Sequence, residues 1–297
     1  MLTGAHFLLS YKCDSECDHC FLYSGPRAKG TFTLAQIRKA LGELVKIGTI
    51  EWVYFEGGEP FLFYPIMLEG IRLARDKGFK TGVVTNSYFA TDEGDAELWL
   101  GPLKDLGLSN LSVSDDPFHF DEKDARPKTI LSAARRLGIP TGPICIERPR
   151  VDAEARKADG GEVVGGGALL KGRAVDKLVE GLPRRDPDEF RRCPEEDLRA
   201  PKRVHLDAYG HVHLCQGLTM GNMWATPLSE IVRSYRGEDH PICGPLLDGG
   251  PALLAQRYQV PLEEGYVTAC HFCYKVRLAL LDRFPQYLAP RQVYGLE

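Results

Sequence analysis

No apolar run in the 297 residues approaches the ~20 needed for a membrane-spanning helix. The first residues, MLTGAHFLLSYK, carry no basic segment, and their apolar stretch is too short for a signal peptide. An excess of positive charge is missing as well. Lys plus Arg number 37 against 41 Asp plus Glu, for a net charge of −4, which argues against a broad nucleic-acid footprint. Basic residues gather only in short clusters, Arg148 with Arg150 and Arg184 with Arg185. The nine cysteines are an odd number, unsuited to a complete disulfide framework. Grouped cysteines in a chain without a secretion signal point instead to metal binding or catalysis in a reducing cytoplasm, in an anaerobic or oxygen-avoiding setting. The length suits one large domain with a small appendage.

Three cysteines stand together. Cys13, Cys17 and Cys20 lie in YKCDSECDHCFLY, with the spacing Cys-x3-Cys-x2-Cys. A four-iron cluster normally takes four cysteine ligands, so three thiolates on one loop leave one iron with an open position. Structural zinc sites are closed and catalytic ones keep a position free; extended to iron, that contrast marks a site that acts on a bound molecule. The alternative is a structural zinc knot on Cys13, Cys17, Cys20 and His19. A second motif, Phe55-Glu56-Gly57-Gly58-Glu59-Pro60, follows the strand-like run from Trp52. Its glycines let the backbone approach a ligand closely, and a carboxylate there can accept hydrogen bonds from an ammonium group.

The two motifs, in this order, resemble those of the radical S-adenosylmethionine (radical SAM) superfamily. The resemblance implies a partial (βα)6 TIM-like barrel and a 4Fe–4S cluster on Cys13, Cys17 and Cys20. It implies SAM held by Gly57, Gly58, Glu59 and Pro60, with Asn86, Ser112 and Ser114 at strand ends near its ribose and carboxylate. Asp115 and Asp116 are candidates for the ribose hydroxyls or for capping the next turn. His19 takes the family's usually aromatic position near the adenine. His119 is a candidate to face substrate. Arg173, in a Gly-Arg-Ala run like that of many relatives, is a candidate bidentate clamp on a carboxylate. The implied partners are a flavodoxin or ferredoxin as electron donor and a peptide or small-molecule substrate, with no nucleic acid and no membrane. The implied chemistry is reductive cleavage of SAM to a 5′-deoxyadenosyl radical, which abstracts a hydrogen atom. A metal-stabilised binding or regulatory protein without radical chemistry is the rival reading. The barrel motifs begin almost at residue 1, which leads us to expect no leader-peptide-binding domain ahead of them.

Periodicity agrees with an α/β fold. Strands are expected at 6–10, 51–55, 81–85, 111–114 and 141–146, with a sixth near 163–170. Helices are expected from the Thr33-x-x-Gln36 capping box to Ile47, from Pro65 to Lys77, around Trp99 and Leu103, and over 129–137. Alternation at this interval predicts a parallel sheet with ligands at the strands' carboxyl ends. The glycine- and charge-rich stretch 147–167 reads as a long loop.

After about residue 182 the alternation stops, and a small cysteine-rich domain of hairpin plus helices is expected over 183–297. A hairpin pattern spans Val204–Cys215. Gly210-x4-Cys215 is similar to the element found in the family's SPASM and twitch extensions, which carry auxiliary iron–sulfur clusters. Cys193, Cys215, Cys270 and Cys273 form a plausible ligand set for a second 4Fe–4S cluster, in the shorter, twitch-like form. The same inventory also fits a zinc ribbon. Cys243 is a spare candidate, and Cys145 is expected as a buried small hydrophobe.

Overall fold

The computed structural model describes residues 1–121, 123–151 and 163–296. Strand β1 (Gly4–Ser10) alternates faces. Ala5, Phe7 and Leu9 are fully buried on one side, and Val53 and Phe55 of β2 (Trp52–Gly57) continue that side. Val83 of β3 (Lys80–Thr85) and Leu111 and Val113 of β4 (Asn110–Ser114) extend it. Helices α1 (Leu34–Ile47), α2 (Tyr64–Asp76), α3 (Glu93–Asp105) and α4 (Arg126–Arg136) bury their apolar stripes in the same core. Each such Leu, Ile or Phe contributes about 1.5–3 kcal/mol. Helix α1 begins at the expected capping box, with Thr33 and Gln36 satisfying one another's backbone N–H, and ends at Gly48 in the left-handed region.

Eight strands form one sheet, ordered β10 (Leu218–Asn222), β9 (His211–Cys215), β8 (Arg203–Asp207), β1, β2, β3, β4 and β5 (Thr141–Ile144). Strands β5 (Thr141–Ile144) to β1 are parallel neighbours, and β8 (Arg203–Asp207) pairs parallel with β1 on its far side. The sixth parallel strand is therefore β8 rather than the segment expected near 163–170. That segment forms only a two-residue strand β7 (Val164–Gly165), paired antiparallel with β6 (Arg150–Val151). Gly166 and Gly167 follow with positive φ, which ends the extended run. The expected long loop 147–167 is thus partly a ribbon, closed by a bridge between Glu147 and Gly167, and its 152–162 portion lies outside the described residues. Because β5 stops at Ile144, Cys145 is exposed rather than a buried hydrophobe.

The expected hairpin is a three-stranded meander. Strands β8, β9 (His211–Cys215) and β10 (Leu218–Asn222) run antiparallel and extend the same sheet. A short α5 (Ala174–Lys177) precedes them. Helix α6 (Leu228–Ser234), α7 (Cys243–Tyr258) with a kink at Gly249–Gly250, and α8 (Ala269–Ala279) follow. No helix of the described residues is long and apolar enough to cross a membrane.

The other face of the parallel strands is polar. His6 pairs in register with His205 and Leu8 with Asp207, and Tyr54 and Glu56 share that face. The barrel therefore has a greasy outside, covered by helices, and a polar inside.

Candidate functional site

The cysteine loop leaves β1 at Ser10, whose Oγ accepts from Lys12 N at 2.9 Å. Cys13 N donates to Gly25 O at 3.1 Å and Cys20 N to Cys17 O at 3.1 Å, which closes the loop into turns. Backbone N–H groups point at the sulfurs: Ser15 N lies 3.5 Å from Cys13 Sγ and Ser24 N 3.4 Å from Cys20 Sγ. Burial pushes the Cys13 and Cys20 thiols up, so each stays neutral until a metal displaces its proton.

Arg173 holds this loop from behind. Its backbone N donates to Cys20 O at 3.0 Å, Nη1 to Cys17 O at 2.9 Å and Nη2 to Ser24 O at 2.7 Å. The expected clamp on a substrate carboxylate is corrected accordingly: Arg173 is buried and its guanidinium is taken up by loop carbonyls.

The glycines press on the same loop. A Cβ on Gly58 would lie 2.1 Å from Lys12 O, and one on Gly57, whose φ is +130°, 2.4 Å from Ser10 O. Glu59 departs from expectation. Its carboxylate is fully buried and accepts from Phe61 N at 2.9 Å, Thr85 Oγ1 at 2.9 Å and Asn86 N at 2.8 Å. It ties the end of β2 to the end of β3 and is absent from the cavity wall. Burial raises its pKa to about 7 despite those three donors. Pro60 opens a buried 3-10 turn, Pro60–Phe63, and is also off the wall.

A cavity of about 300 Å³ opens over the strands' carboxyl ends, the size of a small-molecule site. Cys13, Cys17, His19, Cys20, Gly57, Gly58, Asn86, Ser114 and His119 all line it. Asn86 Nδ2 donates to Asp14 Oδ1 at 2.8 Å and lies 3.8 Å from Cys13 Sγ. Ser112 and Asp115 do not line it. Ser112 Oγ accepts from Asn110 Nδ2 at 3.0 Å, and Asp115 N continues the β4–β5 ladder to Ile144 O at 2.9 Å. The neighbouring Asp116 takes Asp115's expected place on the wall. Its Oδ1 accepts from Phe118 N at 3.0 Å and His119 Nδ1 at 2.9 Å, while its buried Oδ2 has no partner. Burial opposes its charge, but the hydrogen bond and charge of His119 hold its carboxyl below the usual range. His19 stacks on Phe118 at 4.5 Å, and its buried Nδ1 has no partner. Burial and then the neighbouring His119 lower the His19 pKa to about 4, so that ring is neutral at pH 7.

Glu56 is a residue the sequence reading passed over. It lines the cavity between two imidazoles, accepting from His6 Nδ1 at 3.1 Å and lying 3.2 Å from His205 Nε2. Burial opposes its charge and the two histidines overcome that, keeping it ionised. Period-2 alternation along β2, which puts Glu56 on the inner face with Tyr54, was the available signal.

A second, smaller cavity gathers Cys193, Cys215, Cys270 and Cys273, with Lys171 and Arg277. Cys215 ends β9, and Cys270 and Cys273 lie in the first turns of α8, capped by Thr268, which accepts from His271 N at 3.2 Å. Cys193 is placed by the α7 kink: Ala252 N donates to Phe190 O, and a Cβ on Gly250 would meet Arg192 N at 2.3 Å. Cys243 is buried at the start of α7, off this wall and hydrogen-bonded with Tyr235. Among the described residues, no three cysteine sulfurs of either set lie within 4.8 Å of one another. One tetrahedral zinc with bonds of about 2.3 Å would draw its thiolates to roughly 3.8 Å apart; a cubane puts each thiolate on a different iron and spreads them.

Residues 7–145 match the model of the Radical SAM superfamily. The chain carries a radical SAM domain. Such domains belong to enzymes, and their cofactors are a 4Fe–4S cluster and SAM. YydG of Bacillus subtilis (strain 168), named as a candidate peptide biosynthesis protein, is 26% identical over 258 residues, covering 86% of this chain and 73% of that protein. The same organism's AlbA, named for biosynthesis of the antilisterial bacteriocin subtilosin, is 34% identical over 86 residues, 29% of this chain and 19% of AlbA. A crystal structure of BtrN with AdoMet and 2-DOIA overlays with a TM-score of 0.49 at 14% identity, covering 78% of this chain and 82% of BtrN.

Proposed function

We propose that Cys13, Cys17 and Cys20 hold the SAM-cleaving cluster, and that the chain modifies a peptide substrate by hydrogen-atom abstraction. The carrying observation is one cavity that brings together the three thiols, the Gly57–Gly58 backbone and two orphaned polar atoms, His19 Nδ1 and Asp116 Oδ2. That set fits a nucleoside beside a three-thiolate cluster. When bound, the cluster and SAM supply a 5′-deoxyadenosyl radical that takes a hydrogen atom from substrate. The chain's own residues bind and shield. The Gly57–Gly58 backbone would hold the methionyl end, Asp116 Oδ2 would accept from a ribose hydroxyl, and His19, neutral and stacked on Phe118, would sit beside the adenine. Asn86 and Ser114 stand at the strand ends of the same wall. His119 orients Asp116. Ile144, Ile146 and Leu169 make the far wall apolar, which keeps water from a reactive centre. Glu56, held ionised at the wall between His6 and His205, presents a fixed negative charge to the cavity.

Cys193, Cys215, Cys270 and Cys273 are proposed to hold an auxiliary 4Fe–4S cluster. Their spread and enclosure support this over a single zinc. The division of labour then falls near residue 182, although one sheet runs through both parts. A reduced flavodoxin or ferredoxin of the cytoplasm is the proposed electron donor. The peptide assignment rests on the long alignment with YydG.

The test is anaerobic reconstitution followed by SAM and dithionite. The expected result is about eight irons per chain and release of 5′-deoxyadenosine. Alanine at Cys13, Cys17 and Cys20 is expected to abolish release. Zinc alone in both sites, with no SAM cleavage, overturns the reading. A precursor-peptide gene adjacent to this one, whose product gains a modification on incubation, would secure the substrate class.

A further inference from the structure

The strip Lys171-Gly172-Arg173 touches both cysteine sites. Arg173 holds the carbonyls of Cys17, Cys20 and Ser24 as described above. Gly172, at φ +62°, lies flat on the first loop: a Cβ there would come within 2.5 Å of Phe21 Cα and 2.7 Å of Cys20 O. Lys171 turns the other way. It is 3% exposed, and its Nζ donates to Gln216 Oε1 at 2.7 Å and to Cys215 Sγ at 3.4 Å. Its Nζ also sits 5.4 Å from the centroid of Phe21.

A second cation meets it. Arg277 is 1% exposed, and its Nη1 donates to Gln216 O at 3.0 Å. It is hydrogen-bonded with Cys273 and its Nε has no partner. Gln216 thus collects Lys171 on its side chain and Arg277 on its backbone, directly after Cys215. Among the described residues, no carboxylate lies within 4.0 Å of either cation. Glu195 and Glu196 line the same cavity, but Glu196 pairs with Arg203 and acts on Lys171 only at longer range, and two buried cations with no carboxylate in contact are costly unless a nearer anion shares the pocket. Once metal-bound, the four cysteine thiolates around them are the anion the geometry supplies, with Cys215 and then Cys270 acting most strongly on Lys171.

We propose that Lys171 sets the redox potential of the second centre, through its fixed charge and its contact with Cys215 Sγ, with Arg277 as a lesser contributor. This rests on the reading that Cys193, Cys215, Cys270 and Cys273 hold an iron–sulfur cluster. A cluster gains a negative charge on reduction, so neighbouring cations and hydrogen bonds to its sulfurs favour the reduced state and raise the potential. Lys171 is a positioning and tuning residue and touches no substrate. The strip also makes one rigid link from the charge at the second site to the carbonyls of the first loop.

The experiment is an anaerobic redox titration of the reconstituted full chain, followed by electron paramagnetic resonance. Alanine at Cys13, Cys17 and Cys20 isolates the second signal. Lys171→Met is expected to lower the reduced-to-oxidised ratio at fixed potential by tenfold or more, which is 59 mV for a one-electron couple. Lys171→Arg is expected to retain most of the wild-type potential. If Lys171→Met does not hold iron, Lys171→Gln removes the charge while keeping a donor, and the same fall is expected. Full iron loading with an unmoved potential in the neutral variants overturns the tuning role alone. A wild-type second site that takes zinc and no iron overturns both this proposal and the ligand reading beneath it.

Discussion

The two cysteine sites are built by opposite means. The first takes three thiols from one loop of eight residues and leaves them on the wall of an open cavity. The second takes four thiols from three separate segments and closes them over a small apolar cavity with buried cations. A local loop keeps a vacant side because the rest of the fold need not come round it. A set gathered from distant segments is surrounded by what gathers it. Openness suits a centre that meets a nucleoside, and closure suits one that meets only electrons.

The strongest way to break this contrast is to delete each set in turn. Alanine at Cys13, Cys17 and Cys20 is expected to take SAM cleavage below detection, by product analysis, and to halve the bound iron. Alanine at Cys270 and Cys273 is expected to lower iron from about eight to about four per chain while 5′-deoxyadenosine release persists. Equal loss of cleavage in both would erase the distinction. A finer probe is Gly58→Ala. Its Cβ would strike Lys12 O at 2.1 Å, backbone against backbone, so the loop must shift. The expected outcome is at least a tenfold weaker SAM affinity by equilibrium binding, with about 1–3 kcal/mol of lost stability from overpacking.

The effect expected to touch stability alone, with no change in SAM cleavage, is at the seam between the regions. Asp207 Oδ2 accepts from Tyr11 Oη at 2.9 Å, beside the first loop, and from His211 Nδ1 at 2.9 Å on β9. Burial opposes the Asp207 charge, but hydrogen bonds from His211 and His213 outweigh it and hold the carboxyl below its usual range. A depressed carboxyl stabilises the fold above its unfolded pKa, near 4, and that stability is lost as pH falls below it. Asp207→Asn is therefore expected to cost about 2 kcal/mol at pH 7 in urea melts, with the gap from wild type closing below about pH 4.

Much of the first region was legible because its signals are local. Cysteine spacing, paired glycines, a capping box and period-2 strands are all read within one window, and the inside-facing polar row follows from alternation. What escaped was set at long range. Nothing in KGRA indicates that Arg173 is consumed by carbonyls 149–156 residues away. Glu59 was placed facing ligand because motif order does not reveal which of its two sides is filled by Thr85 and Asn86. The exchange of Asp115 for Asp116 turns on one residue of strand length, the least certain part of any such reading. The sixth strand was misplaced because its pairing is set at long range, Gly4 of β1 against Arg203 of β8.

That partnership has a consequence for synthesis. Gly4 pairs with Trp52 on one edge of β1 and with Arg203 on the other. The first edge is covered early in translation, while the second stays bare until β8 has emerged. A bare central strand invites neighbours on other ribosomes, and so remote a closure slows maturation. A fragment cut at residue 182 would keep that edge uncovered for good and is expected to precipitate where the full chain stays in solution.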